Sequence, residues 1–270
     1  MNAIIIILVL WIICSALFSL ISIIGPLSLY FIILWIFLGL IVALILSALW
    51  VLCLIYFILP HLKMGSKITV KLVRPWVKLV NRLARIHLEV EGKENIPSDT
   101  FVLFANHKSM LDITVVYEAL NRPVSGIAKS ELSRVPVFKT LAKNLYVEYV
   151  DRSNDREAVK SLLKAIKKVE QGLSYFIFPE GGVKTRETEL MVDLRPGAYK
   201  LATKPGVLIL PASIIGTSKL TKNAFKKRTN VKVIFHKPIT KEEYNTLNTQ
   251  EIGEKVFNIV NEAIINESKK

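Results

Sequence analysis

The stretch FVLFANHKSMLD, residues 101–112, decides the fold prediction because it contains a strand, a turn and the start of a helix. Phe101–Ala105 is a short, continuously apolar run, which is typical of a strand buried on both faces. A helical pattern follows, and we expect that helix to begin near Ser109. His107 is therefore predicted to lie where a strand ends, which is where functional residues of α/β sheets gather.

The same alternation of strand, turn and helix continues along the chain. Further strands are predicted at residues 87–92, 124–129, 145–150, 174–178, 207–213 and 231–236, and further helices at 155–171 and about 249–265. Strands that alternate with helices of this length favour an α/β domain with a mostly parallel or mixed sheet. We assign this domain to residues 87–270.

Residues 1–60 differ from the rest because they contain no Asp, Glu, Lys or Arg. Two apolar segments, Ile4–Ile24 and Leu27–Leu59, are divided by Gly25-Pro26, and both exceed the run of about 18 apolar residues typical of a membrane helix. A cleaved signal peptide is the competing interpretation, but no basic region precedes Ile4. We therefore predict a two-helix membrane hairpin over residues 1–60, either spanning or half-inserted.

The segment that follows is basic along one face. Between residues 63 and 85 there are seven cations and no acid, spaced by three or four residues: Lys63, Lys67, Lys71, Arg74, Lys78, Arg82 and Arg85. This spacing predicts a basic amphipathic helix over residues 61–86. We expect it to lie on an anionic phospholipid surface, the alternative being a solvated helix face.

Charge also bears on location and partners. By the positive-inside rule, cations that follow the hairpin place the remaining chain on the cytoplasmic side of the membrane. The abundance of Ile, Lys and Asn favours a bacterial source, and hence a bacterial cell membrane. A net charge of +14 would also suit nucleic acid, but no zinc-finger spacing or aromatic-basic RNA motif occurs, so no nucleic-acid partner is predicted.

His107 and Asp112 form the candidate catalytic pair. A carboxylate about one helical turn beyond an imidazole can hold it in one tautomer and leave its other nitrogen free to take a proton, as a general base does. The competing interpretation is a capping box, since Ser109-x-x-Asp112 also fits the start of a helix. Three further fragments, each predicted at a strand end or in a strand, favour the catalytic interpretation.

These fragments are VDR at residues 150–152, FPEGG at 178–182, and VLILPA at 207–212, where Pro211 interrupts an apolar run. Proline cannot pair fully in a central ladder, so Pro211 is predicted to lie outside one. With the first block N-H-x-x-x-x-D, the four fragments occur in the order found in the 1-acylglycerol-3-phosphate O-acyltransferase family. The sequence resembles that family from about Leu88 to Pro238.

The resemblance implies an enzyme that acylates the sn-2 hydroxyl of lysophosphatidate, giving phosphatidate for phospholipid synthesis. His107, oriented by Asp112, would act as the base, and acyl-CoA or acyl-carrier protein would be the co-substrate. No nucleophilic serine is then required, so Ser109 would be a helix cap. Neither a metal nor a bound cofactor is implied, and no metal-ligand spacing or phosphate-binding glycine loop occurs.

The resemblance also implies roles for the later blocks. Arg152 would bind the acceptor phosphate, for which a guanidinium is well suited. Glu180 and Gly181 match the acceptor-binding third block, and Pro211 matches the fourth block on the acyl-donor side.

The third block departs from the family pattern. Where the family has T-R-S after E-G, this chain has Gly182, Val183 and Lys184, so the expected arginine is missing. Lys184 or Arg186 would supply its charge, or both belong to a solvated loop. Two alternatives follow for the function: another acceptor, such as glycerol-3-phosphate or a different lysophospholipid, or a non-catalytic lipid-binding homologue.

Overall fold

The computed structural model describes residues 3–23, 29–151 and 155–269. They divide into two compact units, residues 1–62 and residues 63–270. Each unit is described by itself.

The first unit consists of two apolar helices, α1 (Ala3–Ile23) and α2 (Leu29–Cys53), followed by a π-helical turn (Leu54–Ile58) and a 3₁₀ turn (Leu59–His61). The two helices contact one another, since Trp11 Nε1 donates to the Ile36 carbonyl at 3.3 Å. The predicted turn at Gly25-Pro26 lies outside the described residues. Within those residues, one helical stretch, Ile36–His61, is long and apolar enough to cross a membrane.

The second unit is built on a seven-stranded mixed sheet in the order β1-β7-β6-β2-β5-β3-β4. The strands are β1 (Ile86–Glu91), β2 (Phe101–Ala105), β3 (Ser125–Lys129), β4 (Glu148–Val150), β5 (Tyr175–Ile177), β6 (Leu208–Ile215) and β7 (Thr229–Phe235). Neighbouring strands run parallel except β6 and β7. The predicted α/β domain with a mostly parallel sheet is confirmed.

Eight further helices surround this sheet in the described residues. They are α3 (Lys67–Leu83), α4 (Asp112–Leu120), α5 (Pro136–Asn144), α6 (Asp155–Glu170), α7 (Lys200–Thr203), α8 (Leu220–Asn223), α9 (Lys241–Tyr244) and α10 (Thr249–Ser268). All five residues of β2 are fully buried. Val102 and Phe104 face a core that contains residues of α6 and α10, and alternate side chains of β2 face the other side of the sheet.

The prediction that Pro211 lies outside a central ladder is wrong. Pro211 is a buried residue of β6, between β2 and β7, and is opposite Phe104. The sheet tolerates it because its missing N–H falls at the end of the antiparallel ladder with β7. There the Pro211 carbonyl still accepts the His236 N–H at 3.0 Å, and regular pairing begins at Ala212.

The helix after β2 begins later than predicted, at Asp112 and not near Ser109. Ser109 is not the N-cap of α4, because its hydroxyl accepts the Leu111 N–H at 3.2 Å, within the preceding turn. The Asp112 side chain points back into that turn. It accepts backbone N–H groups of the turn. The capping box of the competing interpretation forms only in part, because Asp112 Oδ2 accepts the Ser109 N–H at 2.9 Å but the Ser109 hydroxyl accepts from Leu111 and not from Asp112.

Helix α3 carries the predicted basic stripe and is continuous through Pro75. Its buried face packs on α4, where Asn81 Nδ2 donates to Glu118 Oε2 at 2.8 Å. Arg74 departs from the stripe, since its Nη2 donates to the Glu118 carbonyl at 3.2 Å. The other cations of α3, Lys67, Lys71, Lys78 and Arg82, are exposed.

Candidate active site

The turn after β2 is tied to β6 by Asn106. Its side-chain amide donates to the Ile214 carbonyl at 2.7 Å and its oxygen accepts the Ile214 N–H at 2.8 Å. The same amide donates to the Glu189 carbonyl at 2.8 Å. Because Asn106 is fully buried and all these bonds are made, the residue that follows it has a fixed backbone position. That residue is His107.

His107 Nδ1 lies 2.9 Å from Asp112 Oδ2. The same oxygen accepts the backbone N–H groups of Lys108 and Ser109 at 2.7 and 2.9 Å. An oxygen that accepts two N–H groups is a carboxylate acceptor, so the hydrogen between the side chains belongs to Nδ1. The other nitrogen, Nε2, then carries the lone pair and is the basic atom of the ring.

His107 is partly accessible, with its side chain 12% exposed, whereas Asp112 is fully buried. Nε2 has no hydrogen-bond partner in the part of the chain that the structure describes. The ring stacks on Phe178, with centroids 4.2 Å apart and an interplanar angle of 7°. Phe178 in turn lines an apolar cavity of about 310 Å³, together with residues such as Ile127, Leu162 and Gly181.

Glu180 is fully buried and supports the backbone of the first block. Its Oε1 accepts the His107 N–H at 2.8 Å, and its Oε2 accepts the Val192 N–H at 3.2 Å. Lys108, also fully buried, pairs with the same carboxylate at 3.1 Å. This geometry gives no support to the predicted contact between Glu180 and an acceptor, because the carboxylate is buried and already bonded to Lys108 and to two backbone N–H groups.

The remaining predicted residues are dispersed. Arg152 lies outside the described residues. Lys184 is exposed and forms an ion pair with Asp193 at 3.0 Å, and Arg186 is exposed. Pro211 is buried inside the sheet. Gly181 lines the cavity, together with Phe178 and Pro179 of the same block.

Sequence reasoning missed Arg195, whose side chain crosses Gly181 at the cavity. A β-carbon placed on Gly181 would lie 2.5 Å from Arg195 Nε and 2.8 Å from its Cζ. Arg195 is exposed, and its guanidinium forms no ion pair or hydrogen bond with the residues described here. Arg195 lies close to Gly181 because the loop between them folds back on itself. The Arg195 N–H donates to the Pro179 carbonyl at 2.9 Å, which fixes the end of that loop beside its start.

A mixed sheet with a histidine–carboxylate pair at a strand end and an adjacent apolar cavity is compatible with acyl transfer. The sequence profile of the Acyltransferase family matches residues 87–215, which include the pair and all the strands that flank it. The chain is thus an acyltransferase by class.

Two curated relatives define the class further. The chain is 31% identical over 212 residues to a probable 1-acyl-sn-glycerol-3-phosphate acyltransferase of Mycoplasma genitalium, an alignment that covers 70% of this chain and 78% of the relative. It is 30% identical over 202 residues to the protein of the same description in Mycoplasma pneumoniae, with 67% and 74% covered. The chain belongs to the 1-acyl-sn-glycerol-3-phosphate acyltransferase family, and the predicted resemblance is confirmed.

A solved structure shows the same fold. The 1-acyl-sn-glycerophosphate acyltransferase PlsC of Thermotoga maritima superposes with a TM-score of 0.66 at 23% identity, covering 83% of this chain and 90% of that one.

Proposed function

We propose that the protein transfers a fatty acyl group from a thioester donor to the sn-2 hydroxyl of 1-acylglycerol-3-phosphate, giving phosphatidate. The observation that carries this proposal is the 2.9 Å bond between His107 Nδ1 and Asp112 Oδ2, which leaves Nε2 as a free base. The family's relatives are named for this reaction.

In the proposed step, His107 Nε2 removes the proton from the acceptor hydroxyl as its oxygen attacks the thioester carbonyl carbon. The new ester C–O bond forms and the C–S bond breaks. The departing thiolate takes the proton from the imidazolium and leaves as a thiol. Asp112 stays ionised throughout and stabilises the imidazolium at the moment when it is charged.

The acceptor phosphate needs a cation near the cavity. We assign this role to Arg195, because its guanidinium lies over Gly181 and forms no hydrogen bond or close ion pair with the described side chains. Arg152 remains a second candidate from its place in the family pattern. Lys184 is less suited, since Asp193 already neutralises it. A guanidinium is preferable to an ammonium here because it binds phosphate through two parallel bonds.

The acyl donor is proposed to be acyl-CoA or acyl-carrier protein, with no metal or bound cofactor. The apolar lining of the cavity supports a ligand with a hydrocarbon chain. Glu180 and Lys108 are proposed to position His107 and not to touch either substrate.

The protein is proposed to act at a bacterial cell membrane, with residues 1–60 as a membrane hairpin, residues 61–86 as an interfacial helix, and residues 87–270 as the catalytic domain on the cytoplasmic side. The uncharged first segment and the exposed cations of α3 support this arrangement. Reversal of Lys71, Lys78 and Arg82 to Glu, in a chain lacking residues 1–60, should weaken sedimentation with anionic vesicles.

A matched control for that test exists on α6. Reversal of Lys160, Lys164 and Lys167, which are also exposed on one helix, should leave vesicle binding closer to that of the parent. Equal losses from both triple variants would mean that only net charge matters, and unchanged binding by the α3 variant would make the stripe a solvated face.

The reaction itself is tested by product analysis. Purified membranes containing the parent protein or His107→Ala are supplied with acyl-CoA and lysophosphatidate, and phosphatidate is quantified by mass spectrometry. General-base catalysis contributes about 10²- to 10⁴-fold, so a loss of that size is expected. His87→Ala, an exposed histidine on β1, should retain parent activity. Equal product from parent and His107→Ala would exclude the proposed base.

The altered third block favours a second candidate, an acyltransferase for another acceptor. Val183 stands where the family has arginine, and Lys184, the next residue, is paired with Asp193. A panel containing lysophosphatidate, glycerol-3-phosphate and lysophosphatidylcholine decides between them, because only the preferred acceptor should combine a high kcat with a low KM. Absence of transfer to every acceptor would favour a non-catalytic homologue.

A further inference from the structure

The loop between α8 and β7 displays an aromatic side chain to solvent. Phe225 is 66% exposed and has a φ of 67°, a left-handed conformation that is uncommon for a bulky residue. The turn is closed by bonds from the Lys226 and Lys227 N–H groups to the Asn223 carbonyl at 2.9 and 2.8 Å. The conformation of this turn therefore directs the Phe225 ring toward solvent.

This loop is bonded to the end of α3. Arg85 Nη1 donates to the Lys226 carbonyl at 3.0 Å, and the Thr229 N–H donates to the Arg85 carbonyl at 3.0 Å. Leu83, at the last position of α3, is 58% exposed. Exposed cations surround the two apolar side chains: Arg82, Arg85, Lys226, Lys227 and Arg228. Neither segment, residues 80–85 or 222–228, contains an acid.

The topology places this surface at the edge of the sheet where the catalytic pair lies. β2 and β6 end at that edge, whereas β7 and β1 run in the opposite direction and begin there. His107 follows β2, and the Phe225 loop and the end of α3 precede β7 and β1. Met110, in the turn that contains His107, is 65% exposed. Three separate segments therefore present exposed apolar side chains around one edge.

We propose that residues 225–228, together with the end of α3, form a docking surface for an anionic lipid bilayer, with Phe225 inserted at the interface. Aromatic side chains favour the boundary between headgroups and acyl chains, and flanking cations bind anionic headgroups. Each basic residue held near such a surface contributes about a fivefold increase in binding. Because neither segment contains an acidic residue, the cations present a positive surface that complements anionic headgroups. The exposed aromatic ring favours a lipid bilayer over a hydrated polyanion, because only the bilayer offers it an apolar environment.

This docking gives the active-site edge direct access to lipid. An acceptor that resides in the leaflet would then reach His107 without crossing water. That consequence rests on the proposed function, but the docking itself is measured without catalysis.

The location of Phe225 is tested in the full-length protein reconstituted into vesicles. Phe225→Cys, with Cys14→Ser and Cys53→Ser, is labelled with an environment-sensitive fluorophore, and the lipids carry quenchers on their acyl chains. The control is Ile265→Cys on α10, a residue of similar type that is 42% exposed. We expect quenching at position 225 and little at 265, increasing with the anionic lipid content. Equal accessibility to water at both positions would overturn the proposal.

The role in substrate access is tested with Phe225→Ser and with Lys226→Gln combined with Lys227→Gln. Transfer to lysophosphatidate in vesicles containing phosphatidylglycerol should fall about fivefold or more at low substrate, while transfer to a short-chain acceptor dissolved as monomers should stay unchanged. Equal losses on both acceptors would overturn a docking role. If the parent shows no transfer, the proposed function fails, and the fluorescence result still decides the docking.

Discussion

The side chain of Glu180 accepts the backbone N–H of His107 at 2.8 Å, so the third sequence block holds the first in place. Lys108 Nζ completes the link at 3.1 Å from Glu180 Oε2. Both side chains are fully buried, which means that neither charge is screened by water. The two blocks form one structural unit around His107.

Glu180→Gln should therefore impair catalysis by displacing His107. Loss of the carboxylate leaves the buried Lys108 ammonium without its charged partner, which typically costs about 3–5 kcal/mol of unfolding free energy. We expect a lower kcat with a nearly unchanged KM for lysophosphatidate, measured by steady-state kinetics beside chemical denaturation. A higher acceptor KM with normal kcat would instead assign Glu180 to substrate binding.

The control for this prediction removes both charges. In Lys108→Met combined with Glu180→Gln, no buried ion is left unpaired and the glutamine oxygen can still accept the His107 N–H. The double variant should be less destabilised than the sum of the two single changes. Strict additivity would show that the two side chains do not interact.

Asp112→Asn tests the electrostatic role of the carboxylate. The amide oxygen can replace Oδ2 as acceptor for the turn, but it carries no charge to stabilise the imidazolium. We expect kcat to fall about 10²-fold or more, within the range that general-base catalysis supplies. Asp193→Asn, which alters only an exposed ion pair, should change kcat little. Activity of Asp112→Asn within a factor of two of the parent would contradict the proposed pair.

Arg195→Gln should weaken binding of phosphate-bearing acceptors. A hydrogen bond to a charged group contributes about 1.5–3 kcal/mol, so KM for lysophosphatidate should rise about tenfold or more. Acylation of 1-monoacylglycerol, which lacks the phosphate, should be unaffected. Arg195→Lys should recover part of the loss, and Arg186→Gln should match the parent. A uniform loss with both acceptors would show that Arg195 does not read the phosphate.

Gly181→Ala should displace the Arg195 guanidinium, because the new methyl group would lie 2.5 Å from Nε. Gly181 also has a φ of 72°, so the substitution adds about 1–2 kcal/mol of backbone strain. Gly65→Ala is the matched control, since Gly65 has the same φ of 72° and nothing within 4 Å. Both variants should lose similar stability by thermal unfolding, but only Gly181→Ala should raise the acceptor KM.

His236 should make stability depend on pH. Burial lowers the pKa of its imidazole, whose Nε2 lies 2.8 Å from Ser213 Oγ. The unfolded chain then binds a proton more readily, so stability falls as pH decreases below about 6.5. His236→Gln should reduce the difference in Tm between pH 8 and pH 5, whereas the exposed His87→Gln should not. If His236→Gln showed the same Tm difference between the two pH values as the parent, His236 would not be the source of the pH dependence.

The sequence predicts a strand well where burial of apolar side chains alone determines its position. β2 occupies Phe101–Ala105 as predicted, because a short run of five apolar residues followed by a turn is typical of a strand buried on both faces. β4 is shorter than predicted, since Tyr146 has a φ of 60° and belongs to a turn. The position of Pro211 depends on where an antiparallel ladder ends, which periodicity does not encode.

The contact between His107 and Asp112 was predictable because the two residues are five positions apart, within one turn. The contacts of Glu180 and Arg195 were not predicted, because they join segments distant in sequence. The Glu180 bond to His107 spans 73 residues, and the approach of Arg195 to Gly181 depends on the loop between them. The one indication in the sequence was Gly181, directly after Glu180, because a glycine allows another group to approach the backbone closely.

The buried pair of Lys108 and Glu180 limits how this enzyme can be redesigned. A chimera that receives only the N-H-x-x-x-x-D segment of another acyltransferase, with an uncharged residue after the histidine, would enclose a lone anion beneath its own active site. Transplanting the two segments together avoids that defect, so they should be exchanged as a single cassette.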